Sequence, residues 1–506
     1  MNHDLAPERK PVEFDVVVVG GGPTGVTLGL LLARNGVRTI VIDKEPDIYP
    51  LPRAAHIDHE TVRTFQELGV ADAVMASCRS SSRYDFLTAS GEVLLRFEGL
   101  DSIGPGGWPA GNMVHQPSIE AMLRRAARAQ ERLTLRTGWN WVSYGNEGGS
   151  VVSTIEAPEG MQLIRSRFVI GADGARSPVR IAAGIELDDL GFDERWLVID
   201  TIVHDAERLP KVNLQICDPT RPTTCVLMGS GRHRWEFMLK PGETAEQVSD
   251  DSFIARLLKP WKVEGAVTLE RKAVYQFNGK VARTWRRGPI LLAGDAAHLT
   301  PPFAGQGLCS GLRDAANLAW KLAAVQRGAS EALLDTYQAE RDPHVRFIIE
   351  MAIMMGRTVC ITDPVAARLR DQKMLAARAS GSSPDGSLSF PPLAHGCLLE
   401  GVSAAGSYFP QAIANQTERL DDVIGPGAWL ISRSHATGHG TTTTLRRVAL
   451  HDSEIAPFKE QLETWLTKHS ADAVLVRPDR YVFGTGTAEA LQEAWAYHLS
   501  EMVYGA

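Results

Sequence analysis

The feature that most constrains this chain lies near its start: an apolar run, a glycine loop, a helical pattern and a second apolar run follow one another without a break. Phe14–Val19 (FDVVVV) is β-branched and shows no alternation, which is the pattern of a parallel strand buried on both faces. GGGPTG follows at once. Val26–Asn35 then sets Leu28, Leu31 and Leu32 at helical spacing, and Gly36 stops the helix. Val37–Asp43 reads as the next strand, so the stretch is one βαβ unit. Within it, Gly20, Gly22 and Gly25 form G-x-G-x-x-G. The first glycine permits the tight turn, the second lets backbone approach a pyrophosphate, and the third lets helix pack on strand. The N–H groups at the helix start receive the phosphates, and Asp43 can accept hydrogen bonds from ribose hydroxyls. A bound dinucleotide is expected. The loop alone does not separate a flavin from a nicotinamide dinucleotide.

Two further strand signals lead into loops: Arg167–Ile170 into GADGARSPVR, and Pro289–Ala293 into GDAAHLTPPFAGQG. Between them, segments such as TTCVLM and RWEFML alternate as antiparallel sheet does. An Ala- and Leu-rich helix follows from Leu308 to about Val325. The fold class is therefore α/β, with a nucleotide-binding domain split in sequence by a sheet domain. The expected boundaries are residues 1–189 for the first nucleotide-binding part, including some sheet-domain strands near 82–112. Residues 190–280 form the substrate-binding sheet, and 281–375 the second nucleotide-binding part with its following helices. The Ser-, Gly- and Pro-containing stretch 376–390 reads as a linker, and 391–506 as a separate small α/β domain.

The 506 residues carry a net charge of -7 and no long basic run, which excludes a nucleic-acid-binding surface. No apolar stretch is long enough to span a membrane. The first fourteen residues lack the apolar core of a signal peptide. None of the six cysteines makes a C-x-x-C pair, as expected for thiols in a reducing compartment. A cytoplasmic protein is expected, and no metal.

Taken in order and spacing, GGGPTG, GADGARSPVR and LAGDAAHLTPPFAGQG resemble the three signatures of the single-component FAD-dependent aromatic hydroxylases, over at least residues 14–350. YPLPRAAHIDHETVRTFQELGV, CDPTRP, RWEFMLKPGET and GQGLCSGLRDAANLAWKL bring the chain nearest to the 3-(3-hydroxyphenyl)propionate hydroxylase branch. The C-terminal part, especially AVLVRPDRYV, is similar to the thioredoxin-like domain of phenol hydroxylases, without the C-x-x-C that disulfide chemistry needs. The resemblance implies a Rossmann-like FAD-binding domain, with Gly20, Gly22, Pro23, Thr24 and Gly25 at the pyrophosphate and Asp43 with Lys44 at the adenosine ribose. It implies Arg53 and Gln116 at the phosphates and ribityl chain, and Asp173 in a structural role near NAD(P)H. Asp295 would bond the ribityl chain. Pro302, Gly305, Gly307 and the backbone at Leu308 and Cys309 would border the flavin ring. Where p-hydroxybenzoate hydroxylase has a lysine, Gln306 stands here. NADH or NADPH would bind without a Rossmann domain of its own, and the resemblance favours a homodimer.

The implied chemistry is hydroxylation of a phenol: FAD is reduced by NAD(P)H, O2 adds at flavin C4a, and the hydroperoxide attacks the ring beside Pro302. A base near the phenol raises ring electron density, and water must be kept out. His56 matches the position of an acidic orienting group in phenol hydroxylase and is the candidate base, against the alternative of a loop histidine bonded to backbone. Asp58 and His59 share its segment, while His298 reads as structural. Arg221, Arg232 and Arg234 could bind a substrate carboxylate or be ordinary sheet-face arginines. Three other readings stay open: a polycyclic natural product as substrate, a flavin oxidase or reductase without oxygen insertion, and a non-enzymatic flavoprotein.

Overall fold

The computed structural model describes residues 11–49, 53–383, 386, 390–434 and 445–500. Residues 1–10, Pro50–Pro52 of the YPLPRAAH stretch, and residues 384, 385 and 387–389 of the expected linker lie outside the described residues.

Val16–Val19 is central to a six-stranded sheet, with Phe168–Gly171 on one side and Thr39–Asp43 on the other. All four valines are buried, as β-branched residues between two covered faces should be. Ile290–Leu292 and Leu133–Thr137 extend the sheet in parallel, and only the two-residue edge strand Arg286–Arg287 runs antiparallel. The first helix spans Pro23–Arg34, with proline at its first position and Gly36 at φ +85° behind its end. It packs on the long helix Gly307–Gln326. Helix follows strand at the carboxyl edge of the sheet, where the chain departs in opposite directions from its central strand. That is where open α/β sheets bind ligands.

Over this edge lies an eight-stranded sheet. Its order is His298–Leu299, Val267–Ala282, Leu187–Val203, Arg232–Met238, Thr223–Met228, Asn213–Ile216, Arg83–Leu87, Val93–Glu98. It is antiparallel except where Asn213–Ile216 meets Arg83–Leu87. The alternation in RWEFML thus does mark antiparallel sheet, and strands from within 82–112 do join it. Its outer face carries Leu197, Ile199, Trp235 and Phe237, covered by the helix Asp251–Leu258.

One expectation needs correction. The helix Pro364–Ala379 continues four residues into the stretch read as linker, because Asp363 caps its start and Arg370 anchors it by donating to the Cys217 carbonyl at 2.6 Å. The C-terminal unit is a small α/β domain, as expected, and it packs closely on the main core. Its sheet, ordered Leu445–Ala449, Ala428–Ser432, Ala473–Val476, Val482–Gly486, has one parallel pair and then two antiparallel pairs, a thioredoxin-like arrangement. One face has its own core around Trp429, Phe458 and Leu462. The other joins the main core: Trp495 stacks on Trp320, and Arg477 reaches the buried Glu340 at 2.7 Å. Charge pairs this deeply buried need complete partners, which is why Glu340 also bonds Lys321 at 2.8 Å and Asn317 at 2.6 Å.

Candidate active site

The three loops read from the sequence meet. A Cβ on Gly20 (φ +110°) would stand 2.2 Å from the Ala172 carbonyl oxygen, so only glycine lets the first loop lie against the loop of Asp173. A Cβ on Gly25 would strike the Gly20 carbonyl oxygen at 1.9 Å. Thr24 fills the space beside Gly294 and Gly311, tying the first helix to the GDAAH loop and to the long helix. Pro23 opens the first helix, and Gly22, its N-cap, has open space above it and no side-chain cap bond. The long helix likewise begins at Gly307 without a side-chain cap, so the N–H groups there and at half-buried Leu308 and buried Cys309 lack a capping side chain.

Asp43 ends its strand with Oδ2 accepting from Arg124 at 2.8 Å, while Lys44 beside it is exposed. Arg124 also donates to the Gly21 carbonyl at 2.9 Å, bracing the glycine loop. Its role was not read from the sequence, although a signal was present. Gln116, Glu120 and Arg124 are spaced i, i+4, i+8 on one helix, so three polar side chains share a face. Gln116 accepts from the Ala54 N–H at 2.7 Å and donates to Glu120 at 2.7 Å, which holds the segment of Arg53 in place. Asp173 accepts from the Val179 N–H at 3.0 Å, and burial raises its pKa against the pull of Ser177 and Val179. Arg180 links the same turn to the Ala296 carbonyl at 3.1 Å.

Asp295 is accessible to solvent yet densely surrounded. Burial raises its pKa, opposed by His298 and Arg53. A side chain both exposed and desolvated lies in a concave wall. Glycine loops that leave open space, uncapped helix starts and an acid in a cleft wall together fit the pyrophosphate, ribityl chain and ring of FAD.

Pro302 is exposed, and Gly305 turns through φ +63° with its N–H on the Pro302 carbonyl at 2.8 Å. Phe303 between them packs edge-on against Trp196 at 5.7 Å, Phe192 at 5.7 Å and Phe277 at 6.2 Å, an aromatic wall joining this loop to the overlying sheet. His56 touches the same loop: its Nδ1 lies 3.1 Å from the Gly305 carbonyl oxygen. Only an Nδ1–H can bond a carbonyl, so in the neutral ring Nε2 carries the lone pair. Burial lowers the pKa of His56, opposed by Asp58 and the Gly305 carbonyl, which favours the neutral ring.

The neighbours of His56 face elsewhere. Asp58 caps the next helix at the Thr61 N–H (2.9 Å) and pairs with Arg313, which also holds Glu60 at 2.8 Å and Gln306 at 3.1 Å. His59 accepts from the Gly106 N–H at 3.1 Å. His298 bonds Asp314 at 2.6 Å, a structural role. Arg221 pairs with Glu243 and Arg232 with Glu270, while Arg234 is bound to buried Asp200 at 2.6 Å.

The sequence matches the family described as FAD binding domain over residues 13–352, and the HcaD C-terminal domain over 443–501. It is 37% identical to the probable NADH-specific resorcinol 4-hydroxylase of Rhodococcus jostii (strain RHA1), across 94% of this chain and 92% of that protein. It is 32% identical to a 3-(3-hydroxy-phenyl)propionate/3-hydroxycinnamic acid hydroxylase of Mycolicibacterium smegmatis (strain ATCC 700084 / mc(2)155), across 96% and 92%. The fold is that of the flavin-dependent monooxygenase PieE in complex with FAD and substrate, with TM-score 0.79 and 24% identity over 97% of this chain and 99% of that one. Aklavinone-11 hydroxylase shares it too, with TM-score 0.77 and 22% identity over 97% and 100%. The chain belongs to the single-component FAD-dependent aromatic hydroxylases, monooxygenases that use NAD(P)H and O2 to hydroxylate a phenolic ring.

Proposed function

We propose that this enzyme hydroxylates a resorcinol-type phenol with NADH as reductant, and that His56 accepts the phenolic proton. The contact of His56 Nδ1 with the Gly305 carbonyl carries the second part of this reading, and the resorcinol hydroxylase relative supports the first. Bound FAD supplies the redox chemistry, taking electrons from NADH and delivering them to dioxygen. The chain's own residues do the rest. Gly20, Gly22, Pro23, Thr24, Gly25, Asp43, Lys44, Arg53, Gln116, Asp173 and Asp295 hold or frame the cofactor, and Gly305, Gly307, Leu308 and Cys309 border its ring. Pro302 lies beside the reacting centre. The wall of Phe303, Trp196 and Phe277 excludes water. His56 Nε2, neutral and unprotonated, takes the proton and leaves an electron-rich phenolate ring. The sheet of residues 190–280 roofs the site.

His56→Ala is expected to slow hydroxylation by about 100-fold or more and to divert NADH oxidation to peroxide release, with FAD still bound. An unchanged rate and coupling removes His56 from the reaction. With labelled dioxygen and resorcinol, one labelled atom should enter the product. Label confined to water or peroxide for every phenol tried would make the enzyme an oxidase. The family resemblance adds a homodimer, to be decided by sedimentation. The six free cysteines accord with a cytoplasmic setting.

A further inference from the structure

Glu236 stands on the strand Arg232–Met238, opposite Val198 on one neighbouring strand and Thr224 on the other. Side chains alternate along a strand. Trp235 and Phe237 lie in the outer core, so Glu236 faces inward, toward the flavin domain. Three landmarks bound the patch around it. Two residues along its own strand, Arg234 donates to the Arg53 carbonyl at 2.8 Å. Two residues along from Val198, Trp196 packs on Phe303, which adjoins Pro302. On the Thr224 side, Gln215 is bonded at 2.9 Å and Asn213 of the same strand reaches Met113, the backbone partner of His56. Glu236 is therefore central to the roof of the reaction site.

Its chemistry is unresolved there. Glu236 is 7% exposed and makes no hydrogen bond among the described residues. Its nearest cation, Arg234, is 3.7 Å away and is already bonded twice to Asp200. Arg271, the other arginine of this face, is bonded to Asp200 as well, at 3.2 Å. A buried carboxylate without a donor is costly, and burial raises its pKa although Arg234 opposes the rise. Buried acids elsewhere in the molecule, such as Glu340 and Asp314, have their donors in place.

We infer that Glu236 is a specificity-determining residue that accepts a hydrogen bond from a second ring hydroxyl of the substrate, so that the site selects uncharged dihydric phenols over phenols bearing a carboxylate. This rests on the phenol hydroxylase reading above and names its substrate class. A hydroxyl supplies the donor that Glu236 lacks. A carboxylated side chain would bring a second negative charge beside it.

The test is a flavin absorbance titration of FAD-loaded enzyme, which needs no turnover. Wild type should bind resorcinol about 10-fold or more tighter than 3-methylphenol, which lacks only the second hydroxyl, and tighter than 3-(3-hydroxyphenyl)propionate. In Glu236→Gln both gaps should shrink by about 10-fold, and Glu236→Asp should restore part of the first. Wild type that binds 3-methylphenol or the propionate as well as resorcinol, or that binds none of them, overturns the inference without any variant. So does a Glu236→Gln enzyme that retains FAD and the full discrimination. Resorcinol bound with the expected discrimination but yielding no hydroxylated product would instead overturn the hydroxylase reading and leave the role of Glu236 standing.

Discussion

On the outer face of the eight-stranded sheet, Trp235 and Phe237 pack with Leu197 and Ile199 beneath a helix. On the inner face of the same strands stand Arg234, Glu236, Asp200 and Arg271. Both faces are buried, but they are buried for different reasons. The outer face gains from removing apolar surface from water. The inner face buries charge that is compensated at Asp200 and left short of a donor at Glu236. Buried charge contributes little net stability even when paired. Its presence beside Phe303, Arg53 and Met113 therefore points to ligand rather than to folding.

Three substitutions can break or sharpen this contrast. The largest expected effect is at Asp200, whose removal leaves Arg234 and Arg271 without their carboxylate. Asp200→Ala should lose about 3–5 kcal/mol in denaturant unfolding and loosen the Arg53 segment, seen as weaker FAD retention. A variant of wild-type stability would mean that the inner charges are solvated. Next is Leu197→Ala on the outer face, which should lose about 2–5 kcal/mol. At a temperature where it stays folded, its preference among phenols should not change. If that preference shifts as much as in Glu236→Gln, the two faces are not functionally distinct.

At pH values just below the unfolded pKa, the smallest effect concerns His233, on the outer side beside Cys225 at 3.0 Å. Burial, with Arg79 nearby, pushes its pKa down to about 3. Unfolded, it titrates near pH 6.5. The unfolded chain therefore takes up the proton first. Stability is fullest above about pH 6.5 and falls as the pH drops toward the folded value, by up to about 1.4 kcal/mol per pH unit. His233→Asn should flatten that slope in urea midpoints measured across the range. An identical slope would show that the ring is already charged in the folded protein.

Local features were legible without a structure. The glycine loop, the strands on either side of it and the uncapped helix behind PPFAGQG are set by neighbours within a few residues, and the folded chain has them with shifts of one to three residues at their ends. The leucine spacing starts the first helix at Val26, whereas it begins at Pro23. The shared face of Gln116, Glu120 and Arg124 follows from the same kind of periodicity. The partners of His56 and Asp58 were not accessible in this way. Gly305 lies 249 residues from His56, and Arg313 lies 255 from Asp58. The small and polar residues before the C-terminal domain mark a boundary, but they do not reveal that Arg477, Tyr481 and Trp495 bind that domain to the main core.

By itself, the sequence determined that a dinucleotide fold is present, where its phosphate loop lies, and that RWEFML alternates as sheet. Those properties follow from backbone conformation and spacing, which are local. Only the tertiary structure decided which side of that alternation meets the flavin domain, that Arg234 and Arg271 both bond Asp200, and that Glu236, 3.7 Å from Arg234, makes no hydrogen bond among the described residues. Alternation assigns residues to two faces, but which face becomes the roof of a site depends on what packs against each, and those surfaces come from distant parts of the chain.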